Sequence, residues 1–243
     1  MPETLVLLHG FAGTRHTWDP LAAHMGPEGY LPLALDLPGH GEAADVEAPI
    51  TFAGCVEHVK ARSPGRFALA GYSLGGRIAL QVALQAPERV SRLVLVSTTA
   101  GIVDATERAQ RRDADRRLAE ELERAPYENF IERWRGQPLF ADDPPDVVAL
   151  AVAEHHRNRP RALAAALRGI GTGEMEPLWD RLGGLQMPVL VVVGERDEKF
   201  RAIGARLTSL LKDARLRAVP GGHALPLENP AALAAALGEF RTA

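Results

Sequence analysis

Ser73 stands in Gly71-Tyr72-Ser73-Leu74-Gly75, between the short apolar run Phe67-Ala68-Leu69-Ala70 and the helix-like stretch Gly76 to Leu84. A serine on a strand-to-helix turn sits on a cramped, strained backbone. The bend lifts its hydroxyl clear of the sheet and places it at a helix N-terminus, where backbone N–H groups can face a developing oxyanion. Flanking glycines fit the same geometry, because a Cβ at either position would clash across the turn. The pentapeptide alone is a weak signal. An apolar strand before it and an amphipathic helix after it make it a nucleophile elbow.

Such a serine needs a base, and the base needs an acid to orient it. In α/β-hydrolases both follow the serine, acid first and histidine second. The buried run Pro188 to Val193 delivers Gly194-Glu195-Arg196-Asp197. Asp197 falls in the loop just past the strand end and is the expected acid; Glu195 is the alternative, able instead to face solvent. A second short strand, Leu216 to Val219, leads into Pro220-Gly221-Gly222-His223. Its two glycines permit a turn that swings the His223 imidazole back towards Ser73. His223 would then take the serine proton, while Asp197 fixes its tautomer and stabilises the imidazolium. The first strand, Leu5 to Leu8, runs into His9-Gly10-Phe11-Ala12-Gly13. A loop there can supply one oxyanion donor, the Phe11 N–H, and Leu74 supplies the other. An ordinary strand-to-helix turn is the alternative reading of that loop.

The elements that must hold these groups follow from patterning. Strands are expected at Thr4–Leu8, Leu31–Leu35, Phe67–Ala70 and Leu93–Val96, alternating with helices, and the rhythm resumes at Val189–Val193. Apolar, unalternating strands imply a parallel sheet covered on both faces. The expected class is α/β, an α/β-hydrolase fold with a mostly parallel sheet of about six strands and helices on both faces. Residues 1–243 form one domain in this reading. From about 102 to 182 the chain carries helical segments only: Asp104–Arg124, Tyr127–Arg135, Pro145–His155 and Arg161–Arg168. An insertion at that point falls on the loop side of the sheet, above the elbow, as a cap that shapes the pocket and excludes water. Its first helix interleaves Arg108, Arg111, Arg112, Arg116 and Arg117 with acids, mostly a solvated face. Arg77 lies one helical turn beyond Ser73 and points to a similar side; the alternative is an ordinary surface arginine.

Composition narrows the function. A net charge of −3 gives no reason to expect nucleic acid or an anionic membrane surface as partner, and the apolar runs are of strand length, far short of a bilayer span. The start of the chain shows no signal-peptide pattern, so cytoplasm is the expected compartment, for a monomer or small homo-oligomer. Cys55 is the single cysteine, which rules out an intrachain disulfide and fits a small apolar packing residue. Of 28 basic residues only Lys60, Lys199 and Lys212 are lysines; a GC-rich genome explains such a bias, and forked recognition of carboxylates is the functional alternative. No metal or other cofactor is expected. Pro38-Gly39-His40-Gly41 lacks phosphate-loop spacing, His155 and His156 face different directions on a helix, and no His-Glu-x-x-His occurs.

Several longer motifs are more particular: Gly71-Tyr72-Ser73-Leu74-Gly75-Gly76-Arg77, Trp134-Arg135-Gly136-Gln137-Pro138-Leu139-Phe140, Leu167-Arg168-Gly169-Ile170-Gly171-Thr172-Gly173 and Gly194-Glu195-Arg196-Asp197-Glu198-Lys199-Phe200. With the more widespread His9-Gly10-Phe11 and Asp36-Leu37-Pro38-Gly39-His40-Gly41, they make the chain resemble, nearly end to end, the 2-succinyl-6-hydroxy-2,4-cyclohexadiene-1-carboxylate synthases of menaquinone biosynthesis, lyases of the α/β-hydrolase fold. The resemblance implies elimination of pyruvate from a cyclohexene bearing three carboxylates, without hydrolysis. It implies Ser73, Asp197 and His223 as catalytic, Phe11 and Leu74 as oxyanion donors, and a small polycarboxylate as substrate. It also implies Arg77, Arg111, Tyr72 and Trp134 as substrate-binding residues. The chain departs from the family at one cap arginine, where His155 aligns with Arg157 and Arg159 close by. The triad alone leaves a carboxylesterase or C–C bond hydrolase open as an alternative; a non-catalytic binding protein is disfavoured because no member of the triad is missing.

Overall fold

Runs of Leu, Val and Ala without polar alternation have two faces to bury, and in this chain they do so in the centre of a sheet. Leu5 to Leu8 and Val189 to Val193 are at most 4% exposed. A computed structural model describes residues 2–26, 29–45 and 49–242. Strands and helices first alternate: β1 (Glu3–Leu8), α1 (Asp19–Ala23), β2 (Tyr30–Leu35), α2 (Phe52–Arg62), β3 (Phe67–Tyr72), α3 (Leu74–Gln85) and β4 (Val90–Val96). Four helices follow with no strand between them: α4 (Ala105–Arg124), α5 (Tyr127–Arg135), α6 (Pro145–His155) and α7 (Pro160–Ile170). The chain closes with β5 (Val189–Gly194), α8 (Glu198–Leu210), β6 (Ala214–Val219), α9 (Leu225–Glu228) and α10 (Pro230–Thr242).

The sheet order is β2-β1-β3-β4-β5-β6, and every pair is parallel. One face carries α2, α3 and α8 through Val56, Val59, Ile78 and Leu207; the other carries α1 and α10 through Leu21, Leu233, Leu237 and Phe240. Only the edge strands are wet, with Leu31 of β2 and Leu216 of β6 exposed. The register pairs Leu8 with Gly71, Gly71 with Leu95 and Val96 with Val192. All the strands therefore end along one edge, and the loops that leave them converge there, as ligand sites of open parallel sheets require.

The helical segment between β4 and β5 has its own small core of Ala119, Leu122, Phe130, Ile131, Leu163, Ala164 and Leu167, and Ala12 from the loop after β1 is built into it. Asp104 caps α4 by accepting from the Glu107 N–H at 2.7 Å. Helix α7 starts one residue earlier than the sequence suggested, because Pro160 at its first position fixes a helical φ and has no N–H to satisfy. Among the described residues no helix is long and apolar enough to cross a membrane, and no cluster of three metal-ligating side chains occurs. Cys55 is buried, and burial pushes its thiol up to about 12.

Two fully buried histidines pin the loops at the end of β1 and β2. His9 donates from Nδ1 to the Gly10 carbonyl at 2.8 Å and accepts the Leu37 N–H on Nε2 at 3.0 Å. The His40 ring lies 4.9 Å from it, edge on. Burial lowers both, His40 to about 3. An unfolded histidine titrates near 6.5, so the unfolded chain takes protons that the folded one refuses. The stability His40 contributes is complete above about pH 6.5 and drains away as pH falls towards 3, with roughly 2 kcal/mol lost at pH 5, and His9 acts in the same direction. Urea midpoints should fall between pH 7.5 and pH 5, and the slope should be shallower in His40→Gln.

Candidate active site

The turn from β3 to α3 holds Ser73 at φ 51, ψ −107, a region that side-chain-bearing residues rarely occupy. Such a conformation costs about 1–3 kcal/mol and survives only where its surroundings over-determine it. Here the Ser73 N–H donates to the Val96 carbonyl at 2.9 Å, while the Ser73 carbonyl accepts from Thr98 Oγ1 at 2.6 Å and from the Arg77 N–H at 3.2 Å. The glycines answer to space. A Cβ on Gly71 would overlap the backbone of Gly75, and one on Gly75 would overlap the Leu8 carbonyl.

Two more strand ends bring the acid and the base. Asp197 caps α8, its Oδ1 accepting the Phe200 N–H at 3.2 Å, and its Oδ2 lies 2.8 Å from His223 Nδ1. Both side chains are almost completely buried. His223 Nε2 faces Ser73 Oγ at 3.4 Å, at the long end of hydrogen bonding. Glu195, the alternative acid, is exposed. The turn before His223 depends on Gly221, at φ 145, and on the Gly222 N–H donating to Glu228 Oε2 at 2.6 Å. Rings of Phe200, Tyr72 and Phe140 surround the imidazole at centroid distances of 4.6, 5.4 and 5.8 Å.

The loop after β1 runs beside the elbow, joined to it by the Gly75 N–H donating to the His9 carbonyl at 3.0 Å. Among the described residues, neither the Phe11 nor the Leu74 N–H has an acceptor in the turns and loops. Two free N–H groups next to a serine are the donors an oxyanion needs.

Above these groups lies a cavity of about 1260 Å³, and Phe11, Tyr72, Ser73, Arg77, Arg111 and Trp134 all line it, together with Asp197 and His223. Arg77 is buried and departs from a surface role. Its Nη1 donates to the Ile170 carbonyl at 2.9 Å, its guanidinium lies 5.8 Å from the Phe52 ring, and among the described residues no carboxylate pairs with it. Burial, reinforced by the nearby Arg111 charge, lowers it to about 9. Arg111 pairs through Nε with the buried Asp115 at 2.9 Å. Its neighbours Arg112 and Arg116 reach Glu174, outside their own helix.

His155, Arg157 and Arg159 do not line the cavity. His155 is buried with Nδ1 at 3.0 Å from the Ala12 carbonyl, Arg157 pairs with Glu154, and Arg159 pairs with Asp45 at the surface. Sequence reasoning passed over Asp143, which lines the cavity and forms a buried pair with Arg135 at 2.6 Å. Burial raises Asp143, against the opposing pull of Arg135. The only sequence signal for it was its position shortly after the Trp134 to Phe140 motif.

A parallel sheet with a strained serine on the β3–α3 turn, an acid after β5 and a histidine after β6 is the arrangement of an α/β-hydrolase. The sequence matches the Alpha/beta hydrolase family over residues 5–236. More closely, it is 36% identical over 244 residues to the 2-succinyl-6-hydroxy-2,4-cyclohexadiene-1-carboxylate synthase of Enterobacter sp. (strain 638), covering 97% of this chain and 90% of that one. It is 32% identical to the synthase of the same name from Salmonella typhimurium, covering 98% and 93%. The solved structure of MenH from S. aureus superposes with a TM-score of 0.90 at 30% identity, over 98% of this chain and 92% of that one. The chain therefore belongs to the alpha/beta hydrolase family and, within it, to the family of these synthases.

Ser73→Ala removes a side chain that has no packing role. The variant should fold with wild-type thermal stability or better, since alanine keeps the backbone contacts of the elbow. Its turnover should fall by about 10³ or more. Near wild-type turnover would contradict a role for Ser73 in the chemistry.

Proposed function

We propose that this protein eliminates pyruvate from 2-succinyl-5-enolpyruvyl-6-hydroxy-3-cyclohexene-1-carboxylate in menaquinone biosynthesis, giving 2-succinyl-6-hydroxy-2,4-cyclohexadiene-1-carboxylate. Ser73, with His223 behind it, takes the ring proton next to the succinyl carbonyl. The electron pair left on carbon moves onto the carbonyl oxygen, and the Phe11 and Leu74 N–H groups receive that negative charge. Its return shifts the ring double bond and breaks the C–O bond to the enolpyruvyl group, which leaves as the enolate of pyruvate. The proton passes through Ser73 Oγ to His223 Nε2, and Asp197 stabilises the resulting imidazolium. Return of that proton to the methylene carbon of the enolate gives pyruvate and restores neutral His223, so neither water nor a covalent adduct enters the balance.

The observation that carries this reading is the bare charge of Arg77. A guanidinium buried beside the elbow, with one carbonyl and an aromatic face for company, has lost most of its hydration; among the described residues no carboxylate pairs with it directly, and the nearby Asp115 charge offsets burial only in part. An arriving carboxylate supplies what is missing, and the planar fork fits it in two places. Arg111 adds a second positive charge at the same wall, partly neutralised by Asp115. Trp134 and Tyr72 supply flat apolar surface for the ring. An esterase acting on neutral substrates would have no use for a buried, unpaired arginine at that place.

Pyruvate release from the enolpyruvyl cyclohexene, measured beside turnover of p-nitrophenyl esters, decides between lyase and esterase. Ready pyruvate release with negligible ester turnover is the expected result; rapid ester turnover without pyruvate would overturn the reading. Dialysis against a chelator should leave the rate unchanged, and recovery of a lost rate only on adding a divalent ion would contradict the metal-free route.

Arg77→Ala should lower kcat/KM for the polycarboxylate by about ten- to a hundredfold, the size of one charge-assisted contact. Arg77→Lys should recover only part, since an ammonium cannot present a fork. Any slow turnover of a neutral ester should barely change. Equal loss on both substrates would make Arg77 structural.

A further inference from the structure

The end of α6 and the turn behind it meet the loop after β1 in a set of buried polar contacts that the proposed chemistry leaves unexplained. Glu154 Oε2 accepts from the Thr14 N–H at 3.0 Å, from Thr14 Oγ1 at 2.7 Å and from Thr17 Oγ1 at 3.2 Å. His155 Nδ1 and Asn158 Nδ2 both donate to the Ala12 carbonyl, at 3.0 and 2.9 Å. Asn158 Oδ1 accepts the Gly41 N–H at 3.0 Å, so its amide plane is held from both ends. Ala12 itself stands at φ 60, a conformation that costs a Cβ-bearing residue roughly 1–2 kcal/mol and needs holding.

Peptide planarity turns these contacts into a chain of alignment. The Ala12 carbonyl and the Gly13 N–H belong to one rigid peptide unit, so donors on the first set the direction of the second. The Gly13 N–H donates to the Gly10 carbonyl at 3.1 Å. The Gly10 carbonyl in turn shares its peptide unit with the Phe11 N–H, which points the opposite way. His9 Nδ1 fixes the same carbonyl from its other side at 2.8 Å. We infer that His155 and Asn158 are positioning residues: through two hydrogen-bonded peptide units they aim the Phe11 N–H at the oxyanion. This rests on reading Phe11 as an oxyanion donor. His155 thus serves to hold the donor loop, and substrate charge is left to groups that line the cavity.

The test uses His155→Leu, which removes one donor, and Asn158→Asp, which keeps the acceptor for Gly41 but cannot donate to Ala12. His155→Asn restores an amide donor near the Nδ1 position, and Arg159→Gln, at the exposed pair with Asp45, is the control. Two rates are followed: pyruvate release, as kcat and KM, and phosphonylation of Ser73 by a p-nitrophenyl alkylphosphonate, which needs the triad and oxyanion donors but no carboxylate pocket. A misaimed donor should lower kcat by about 10- to 100-fold in His155→Leu and Asn158→Asp, with KM within about twofold. Phosphonylation should slow by a similar factor, His155→Asn should regain most of both rates, and Arg159→Gln should match wild type. Wild-type kcat in folded Asn158→Asp, or a loss confined to KM, would overturn the inference even if His155→Leu fails to fold. Wild-type protein that phosphonylates but releases no pyruvate would refute the lyase reading alone, leaving the phosphonylation rates to decide the positioning role. Wild-type protein that does neither would overturn both.

Discussion

Helix α3 begins closer to the sheet than a side chain would allow, and the active-site geometry is built on that approach. Gly75 lies against the end of β1, donating to the His9 carbonyl, where any Cβ would overlap the Leu8 carbonyl. The contact draws the first turn of α3 down between the loops that leave β1 and β3. Ser73, the residue before that turn, is thereby forced into a positive φ, and its strain is offset by three hydrogen bonds, one donated to the Val96 carbonyl and two accepted from Thr98 and Arg77. The same approach brings the Leu74 N–H next to the loop that carries Phe11. Loosening it would draw the Leu74 N–H away from the Phe11 loop, relax the serine and tilt Arg77 at one stroke, because Ser73, Leu74 and Arg77 belong to one helical turn and its cap.

What could be read in the chain follows from which contacts are local. The elbow is written in five consecutive residues, because its constraints act across a single turn. Asp197 and His223 were legible for a different reason: a parallel sheet ends all its strands on one edge, so a polar residue just past a strand end is placed there by topology. The role of His155 was not legible. Its partner is a carbonyl 143 positions away, and nothing local distinguishes a histidine that donates to a backbone from one that meets a substrate. Asn158, with partners at Ala12 and Gly41, escaped notice for the same reason, whereas Asp143 has its partner Arg135 only eight residues away and was hidden because a local ion pair looks the same in sequence whether buried or solvated. Arginines on α4 were legible only as a class. Periodicity put them on a helix, and the packing of residues 172–174 against α4 decided which of them pair away from the cavity.

The cavity is a place of unequal charge compensation. Arg196 pairs with Glu228, Arg111 with Asp115, and Arg135, behind the wall, with Asp143. Arg77 has no such partner among the described residues, and it is also the arginine carried directly on the elbow helix. Burying an ion without a counter-ion is among the more costly things a fold can do. Compensated arginines shape walls; an uncompensated one raises the affinity of the pocket for an anion, because binding removes a penalty already present in the folded state. This separates substrate selection from proton chemistry. Ser73, His223 and the two N–H groups would serve an ester as well as an enolate, and only the charge arrangement tells the two apart.

Cover and core meet through polar contacts, and this limits how the cavity can open. Lifting the end of α6 from the β1 loop would leave the Glu154 carboxylate without its three donors and the Ala12 carbonyl without its two. Each buried polar group stranded in that way costs about 1–3 kcal/mol, more for a charge, and unlike apolar surface it gains nothing from partial separation. Helix α4 is attached differently. Its arginines reach Glu174 and Glu176 through partly exposed pairs that water can replace at little cost. Beneath those pairs α4 is held by apolar contact, Ala119 and Leu122 packing in one buried cluster with Leu163, Ala164 and Leu167 of α7. The loop that α6 and the turn behind it hold is the one that carries the Phe11 N–H, so separation there would disturb the proposed oxyanion donor.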